Sequence, residues 1–299
     1  MTIDASLLLQ AAAEAAGGQQ YPASALYVVA TPIGNLADIT LRALHVLQLV
    51  DAVACEDTRH TAALLRHYGI ERPLLAVHEH NEREAAQRVV ERLAAGERVA
   101  YVSDAGTPAV SDPGARLVAA VQQAGHAVVP VPGASSATAA LSAAGDVQPG
   151  GFRFVGFLPT KARELEQAVQ DLARRPEAQV LFEAPHRIEA LAAALAQAAG
   201  ARRLTMCREL TKQFETIATM TAAELPAWLG TDANRRKGEF VLVLHGQAQA
   251  ADDALARAEP ALRALMEALP LKQAVALAAQ LTGAPRNPLY ERALQLKGE

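Results

Sequence analysis

The chain has 299 residues, of which 51% are hydrophobic and 20% are charged. That composition is typical of a globular protein with about two domains of roughly 150 residues each, and it excludes a disordered or fibrous chain. The formal net charge of −4 excludes a strongly basic protein, so any nucleic-acid site has to be a local basic patch.

The first 24 residues are rich in alanine but lack the positive segment of a signal peptide, and we expect residues 1–24 to be a flexible extension with some helical tendency. No stretch approaches the ~18 uninterrupted apolar residues of a membrane helix, so we expect no membrane partner. The two cysteines, Cys55 and Cys207, lie in apolar stretches outside any CxxC pair. Reduced core thiols are typical of the cytoplasm, which is the predicted location.

Short apolar runs alternate with amphipathic helical patterns between residues 25 and 132. The predicted buried strands are 26–30, 52–55, 73–77, 99–103 and 127–131. Strands that alternate with helices indicate βαβ units, so we predict an α/β domain with a mainly parallel sheet. Before the last helix of this domain, Asp112 and Pro113 predict an N-cap followed by proline at the first helical position.

Residues 133–246 predict a second α/β domain, with strands at 152–158, 178–184, 202–210, 214–220 and 239–245. The connection after residue 210 is too short for a crossover helix, which indicates an antiparallel hairpin and therefore a mixed sheet. Residues 247–260 are polar and alanine-rich, as in a linker that is partly helical. Residues 261–299 predict two or three short helices, interrupted at Pro270 and at 283–288, in a small helix-turn-helix-like domain.

Three glycine-containing loops follow strands of the first domain: ATPIGNLADIT (30–40), SDAGTPAVSDPG (103–114) and VPGASSATAA (131–140). Glycine lets backbone N–H groups approach a ligand, and Ser, Thr and Asp add short hydrogen-bonding groups. One such loop is usually only a turn, but three at the carboxyl edge of one sheet predict a ligand site. The sequence has neither GxxxxGK[ST] nor a GxGxxG after the first strand, which argues against a P-loop ATPase or an ordinary dinucleotide fold.

Eight stretches together resemble a known family. They are TPIGNLADIT (31–40), ACEDTRHT (54–61), SDAGTPAVSDPG (103–114), VPGASS (131–136), VGFLP (155–159), LFEAPHRI (181–188), CRELTKQFE (207–215) and KGEFVLVL (237–244). With them, residues 25–299 resemble the tetrapyrrole-methylase-like family of S-adenosylmethionine-dependent methyltransferases. Within that family the chain is similar to the branch that methylates the 2′-hydroxyl of a cytidine in bacterial small-subunit ribosomal RNA.

The resemblance implies two α/β domains with S-adenosylmethionine bound in the cleft between them, and a homodimer. It also implies a set of cofactor-binding positions by motif. These are Ile33, Gly34, Asp104, Ala105, Gly106, Thr107, Ser135, Ser136, Glu183, Leu210 and Gly238. Asp112 stays outside this set because a capping role explains it equally well.

The substrate side is expected to lie beside the same cleft, with the small-subunit ribosomal RNA or the 30S subunit as partner. A ribose hydroxyl is a poor nucleophile, so a group that polarises it helps by about 10²–10⁴-fold, and we predict Glu209 or Lys212 for this role. Arg59, Arg187 and Arg208 are predicted to hold RNA phosphates. His78 and His80 alternate as metal ligands can, but the sequence shows no clear third or fourth ligand, so we predict no metal.

Two alternatives remain open. The first is methylation of a tetrapyrrole or another small molecule by the same fold, against which the C-terminal helical domain and the TPIGNLADIT and EDTRHT stretches argue. The second is a non-enzymatic nucleic-acid-binding module, suggested by the tail with Lys272, Arg286, Arg292 and Lys297. That tail is suited equally to docking RNA or to supporting a dimer, and a binding module does not explain three ligand-type loops.

Overall fold

The computed structural model describes residues 4–78, 81–148, 150–247 and 251–298. Its first sheet contains β1 (Ala25–Val29), β2 (Ala52–Cys55), β3 (Leu74–Ala76), β4 (Val99–Val102) and β5 (Ala127–Val131). The strand order is β3-β2-β4-β1-β5, and all four pairs are parallel. The predicted parallel α/β architecture is confirmed.

Helices on both faces of this sheet explain why its strands read as continuous apolar runs. They are α1 (Ala5–Ala16), α2 (Leu41–Leu49), α3 (Thr58–His67), α4 (Glu82–Ala94) and α5 (Ala115–Gln123). Tyr27 and Val29 of β1 belong to an apolar cluster on one face, and Leu26 belongs to a cluster on the other.

The N-terminal segment differs from the flexible extension expected from the sequence. Asp4 caps α1 by accepting a hydrogen bond from the backbone N–H of Ser6, 2.9 Å away. Ala12 of this helix is buried in the core of the first domain, and Leu8 and Leu9 pack against the same core. The apolar face of α1 therefore becomes ordered by packing, which composition alone did not indicate.

The start of α5 also differs from expectation, and the predicted N-cap at Asp112 is wrong. Gly114 occupies the N-cap position with φ of 121°. The side chain of Glu82, at the start of α4, accepts hydrogen bonds from the backbone N–H groups of Gly114 (3.1 Å) and Arg116 (3.2 Å). A carboxylate from a neighbouring helix therefore satisfies this helix terminus and leaves Asp112 available for other contacts.

The second sheet contains β6 (Phe152–Phe157), β7 (Ala178–Glu183), β8 (Arg203–Arg208), β9 (Thr216–Thr221) and β10 (Phe240–Leu244), in the order β6-β7-β10-β8-β9. Its helices are α6 (Ser136–Ala144), α7 (Ala162–Ala173), α8 (Ile188–Ala199) and α9 (Leu225–Gly230). β6 and β7 are parallel and the other pairs are antiparallel. The mixed sheet and the β8–β9 hairpin are thus confirmed.

The two faces of the second sheet pack against different parts of the molecule. Leu181, Leu204 and Leu242 face a core shared with α7 and α8. Val180 and Val241 face the other way, in a cluster that contains α6 residues and Ile33 of the first domain. This shared cluster brings the second sheet against the loop that follows β1.

Three helices form a separate small core at the C-terminus: α10 (Ala251–Ala268), α11 (Leu271–Thr282) and α12 (Arg286–Gly298). The breaks at Pro270 and at Gly283 fall where the sequence predicts them. The expected linker differs, because residues 251–260 are part of α10 and Ala258 is buried in the core of this unit. No helix among the described residues has the length and hydropathy needed to cross a membrane.

Candidate active site

The structure brings the three glycine-containing loops together at the carboxyl edge of the first sheet. Thr31, after β1, and Gly106, after β4, exchange two backbone hydrogen bonds of 2.9 and 3.1 Å. The hydroxyl of Thr107 then donates to the carbonyl oxygen of Ala134, after β5, at 3.1 Å. These bonds join the loops into one surface.

Gly106 lies at the junction of the first two loops, where the structure favours a residue without a side chain. Its φ is +83°, and an added Cβ would lie 3.2 Å from Cγ2 of Ile33. Both the backbone conformation and the close approach of the first loop therefore favour glycine.

A pocket lies where these loops meet the second domain. Five predicted cofactor residues line it: Ala105, Gly106, Thr107, Ser135 and Ser136. Three further residues complete the wall, namely Val110, Asp112 and Phe182. None of these three belongs to the predicted cofactor set, although Asp112 lies in the same loop as Ala105 and Gly106. Phe182 could have been found from the alternation of side chains along β7, because Phe182 and Val180 lie on the same face, which is directed to the first domain.

Carboxylates are grouped at this edge: Asp112 lines the pocket, and Asp104 and Glu56 are close enough to interact with it electrostatically. Burial raises the pKa of Asp112; Ser103 opposes that rise through a hydrogen bond, and Asp104 adds to it through like charge. Burial also raises the pKa of Glu56, with Asp104 and Asp112 as further causes. Asp104 itself accepts a hydrogen bond from the backbone N–H of Asp57 at 3.2 Å. A cationic ligand would therefore find compensating charge at this edge.

The turn between β8 and β9 holds the two residues predicted to be catalytic. Nζ of Lys212 lies 2.9 Å from Oε1 of Glu209 and 2.9 Å from Oε2 of Glu239. The same Oε1 of Glu209 accepts the backbone N–H of Glu239 at 2.9 Å. An added Cβ at Gly238, whose φ is +91°, would lie 2.5 Å from this oxygen, so the close approach requires glycine.

The pKa shifts within this turn show that both groups are charged. Burial by itself would raise the pKa of Glu209, but the hydrogen bonds from Lys212 and from the Glu239 backbone outweigh it and lower the pKa. Burial would likewise lower the pKa of Lys212, but its bonds to Glu239 and Glu209 raise it. At neutral pH the turn therefore presents an ammonium held between carboxylates.

Lys212 also contacts the first domain. An added Cβ at Gly34 would lie only 2.5 Å from Cγ of Lys212 and 2.9 Å from its Cε. Ile33 and Leu210, from the same two segments, belong to one apolar cluster. Gly34, Leu210 and Gly238 are therefore grouped around the Lys212 turn rather than in the pocket wall.

Glu183 occupies a different position from the other predicted cofactor residues. It follows Phe182 on β7, so its side chain takes the opposite face of the sheet from the pocket. Its Oε1 accepts the N–H of Ala184 at 2.8 Å and lies 3.2 Å from Nε of Arg187. Cofactor binding by Glu183 stays a prediction, and the side chain stabilises the turn after β7.

The three arginines predicted to hold phosphates have different surroundings. Arg187 donates to the carbonyl oxygens of Leu158 (2.6 Å) and Pro159 (3.1 Å). Arg208 donates to those of Lys237 (2.6 Å) and Phe214 (3.0 Å). Both guanidinium groups thus hold loops, and their RNA contacts stay predictions. The Arg59 side chain is 91% exposed and pairs only with Asp57 among the ion pairs of the described residues.

A metal site receives no support from the described residues. His80 lies outside them, so its pairing with His78 cannot be placed. Within the described ranges, no three His, Cys, Asp or Glu side chains come together as metal ligands do.

Two family models match the chain. The model of the tetrapyrrole (corrin/porphyrin) methylases matches residues 25–226. A second model, described as the RsmI C-terminal HTH domain, matches residues 251–297 and therefore includes part of the expected linker. α1 precedes both matches.

Curated relatives match over nearly their whole length. The chain is 49% identical over 280 residues to Ribosomal RNA small subunit methyltransferase I of Pseudomonas aeruginosa, which covers 93% of this chain and 99% of the relative. The protein of the same name from Escherichia coli O157:H7 is 46% identical over 274 residues, 91% and 96% of the two chains.

Solved structures show the same fold at low sequence identity. A cobalamin biosynthetic enzyme, cobalt precorrin-4 methyltransferase, superposes with a TM-score of 0.56 at 20% identity, covering 74% of this chain and 94% of that one. The methyltransferase CobJ gives 0.55 at 18% identity, with 74% and 93% covered. At these identities the likeness concerns the fold alone.

Proposed function

We propose that this chain, which belongs to the tetrapyrrole (corrin/porphyrin) methylase family, methylates the ribose 2′-hydroxyl of a cytidine in small-subunit ribosomal RNA with S-adenosylmethionine as donor. The observation that carries the proposal is the carboxylate-bearing pocket of small residues at the strand ends, in a chain whose near-full-length relatives are named as ribosomal RNA methyltransferases. The helical C-terminal domain, absent from a minimal two-domain fold, supports RNA over a small tetrapyrrole as the substrate.

The pocket residues fit a donor of this kind. S-adenosylmethionine carries a sulfonium, which supplies an activated methyl group when it is bound. Burial, and to a smaller extent the like charge of Asp104, raises the pKa values of Asp112 and Glu56, and a bound cation would stabilise their ionised forms. Small side chains at Ala105, Gly106 and Ser135 leave backbone groups accessible to an adenosine or amino acid moiety.

The remaining catalytic work of the chain is alignment and electrostatic stabilisation. Holding the two reactants in line supplies about 7–11 kcal/mol toward the barrier. The Lys212 ammonium, oriented by Glu209 and Glu239, is suited to stabilise negative charge that develops on the ribose oxygen. Because its pKa is raised, we assign Lys212 an electrostatic role and not that of a base.

RNA binding is assigned to exposed cations and to the C-terminal helices. The exposed Arg59 lies at the start of α3, beside the acidic edge of the first sheet. In the C-terminal domain, Arg292 is held by Glu259 at 2.8 Å, so Lys272 and Arg286 are better placed to meet phosphates. We also propose that the enzyme works in the cytoplasm, where ribosomes are found, and that it assembles as a homodimer.

Ribose-methylation mapping tests the proposed function. Ribosomal RNA from a strain lacking this gene should miss one 2′-O-methyl cytidine in the small subunit, and the purified protein should restore it on subunits from that strain. Calorimetry with S-adenosylmethionine should show binding, which separates an enzyme from a simple RNA-binding module. An unchanged methylation map would refute the substrate, and methyl transfer to a tetrapyrrole alone would support the small-molecule alternative.

A further inference from the structure

A β-bulge in β6 changes the direction of one aromatic side chain. Phe154 pairs with Val180, Gly156 with Leu181 and Phe157 with Phe182, so Val155 is the extra residue. In a regular strand, positions 154 and 157 would face opposite sides. The bulge returns Phe157 to the face of Phe154 and Phe182, which is the face directed to the first domain.

The bulge places Phe157 beside the pocket. Its ring centroid lies 5.7 Å from that of Phe182, at an interplanar angle of 71°. Phe182 lines the pocket and also packs edge-to-face on Phe154, with a centroid distance of 5.1 Å. Phe157 is the outer member of this group, and 56% of it is exposed because β6 is an edge strand.

The backbone on both sides of Phe157 is held by contacts that do not involve the ring. Gly156 has φ of +71°, and an added Cβ would lie 2.8 Å from the hydroxyl oxygen of Ser111, in the loop after β4. On the other side, Arg187 holds the carbonyl oxygens of Leu158 and Pro159 and is itself oriented by Glu183. A large apolar ring is therefore kept exposed on a well-held backbone.

We propose that Phe157 is the platform on which an unpaired base of the RNA substrate stacks at the mouth of the pocket. This inference rests on the proposed function, since it names a contact within that reaction. Proteins read unpaired RNA by stacking splayed bases on aromatic rings, and an exposed ring beside the donor pocket would hold the target nucleotide next to the methyl group. Arg187 and Gly156 are then positioning residues, because Arg187 holds the segment after the ring and Gly156 permits the positive φ of the bulge.

The test compares Phe157→Ala with Phe152→Ala. Phe152 is a matched control, since it is a phenylalanine of the same edge strand and is 50% exposed. The substrate is small ribosomal subunits from a strain lacking the gene, with radiolabelled S-adenosylmethionine. Loss of one stacked base should raise KM for the subunits, or lower kcat/KM, by about 5- to 150-fold in Phe157→Ala and leave Phe152→Ala unchanged. The calorimetric Kd for S-adenosylmethionine should stay within about twofold of wild type in both.

Two further variants separate stacking from apolar packing. Phe157→Tyr keeps the ring and should retain the wild-type KM, whereas Phe157→Leu keeps the apolar character and should resemble Phe157→Ala. Equal activity of Phe157→Ala and wild type would overturn the inference, as would full rescue by leucine. A change of sedimentation from dimer to monomer in Phe157→Ala would also overturn it, because the ring would then belong to a subunit contact. Failure of wild type to methylate subunits refutes the proposed function itself, which distinguishes the two failures.

Discussion

Replacing Lys212 with methionine removes the charge that links two carboxylates at the domain boundary. In the native protein its Nζ lies 2.9 Å from Glu209 and 2.9 Å from Glu239. The aliphatic part of the side chain lies against Gly34, where an added Cβ would meet Cγ at 2.5 Å. Methionine keeps an unbranched apolar stem of similar length for that contact, so the substitution tests mainly the charge.

The size of the effect follows from the exposure of the three groups. Two unit charges about 4 Å apart interact by about 4 kcal/mol at an effective dielectric constant near 20. The Lys212 and Glu209 side chains are 28% and 19% exposed, so solvent screens part of this interaction, and the 79% exposed Glu239 adds little. We expect a loss of about 1–2 kcal/mol in the free energy of unfolding, or roughly 2–8 °C in Tm when the two α/β domains unfold together as a unit of roughly 150–250 residues.

The catalytic effect should exceed the effect on stability. A single-turnover assay with saturating S-adenosylmethionine and small subunits should show a rate about 10²-fold lower or more in Lys212→Met, because the variant lacks the ammonium proposed to stabilise charge on the ribose oxygen. Donor affinity should stay near that of wild type. Glu239→Gln is a comparison variant: it keeps the cation and removes only its exposed partner, so its rate should fall less than that of Lys212→Met.

The pH dependence provides the decisive result. Glu209 has a lowered pKa and Lys212 a raised one, so the stabilising pair is intact at neutral pH and is lost as pH falls below the ordinary glutamate pKa of about 4.3. An unchanged single-turnover rate in Lys212→Met would refute the electrostatic role assigned to Lys212. The role would also be refuted if the wild-type rate rose tenfold per pH unit above pH ~8 and the Lys212→Met rate did not, because Lys212 would then act as a base.

Three further substitutions test other parts of the structure. Asp112→Asn should raise the Tm of the ligand-free protein, because burial and Asp104 oppose the charge of the Asp112 carboxylate. It should also weaken S-adenosylmethionine binding by about tenfold in calorimetry, and tighter binding would contradict a role of this carboxylate in holding a cationic ligand. Gly114→Ala should cost about 3 kcal/mol or more in urea unfolding, because its Cβ would overlap the buried ring of Tyr101 at a φ of +121°. Burial lowers the pKa of His245, so the unfolded chain takes up a proton first as pH drops, and the free energy of unfolding should fall below pH ~6.5. His245→Gln should remove this dependence on pH, and an unfolding free energy that falls with pH as steeply as in wild type would contradict the prediction.

Much of the fold could be predicted because the positions of its strands and turns depend on short stretches of sequence. The run at 52–55 coincides with β2, and the short connection after residue 210 correctly indicated the β8–β9 hairpin. In both cases neighbouring residues decide the outcome, through burial on both faces of a parallel strand and through the length of a turn. The three ligand-type loops could also be found, since glycine and short polar residues cluster directly after apolar strands.

Errors arose where a distant residue competes with a local signal. Asp112 beside Pro113 has the pattern of a cap, yet Glu82, 32 positions before Gly114, supplies the oxygen that caps α5. Arg187 and Arg208 show the same dependence on packing: both were predicted to hold phosphates, which stays a prediction, and the fold also directs some of their donors to carbonyl oxygens of nearby loops. Sequence patterns show which donors and acceptors exist, but only packing decides which of them meet.

The amino-acid sequence alone therefore determined the two α/β domains, the hairpin and the loops that form the pocket, because these depend on periodicity and turn chemistry within short segments. The tertiary structure decided that Lys212 crosses to Gly34, that Phe182 closes the pocket wall and that Phe157 turns towards it. Each of these contacts depends on how one sheet is placed against the other, and a side chain's partner across that boundary is set by the shape of the folded chain.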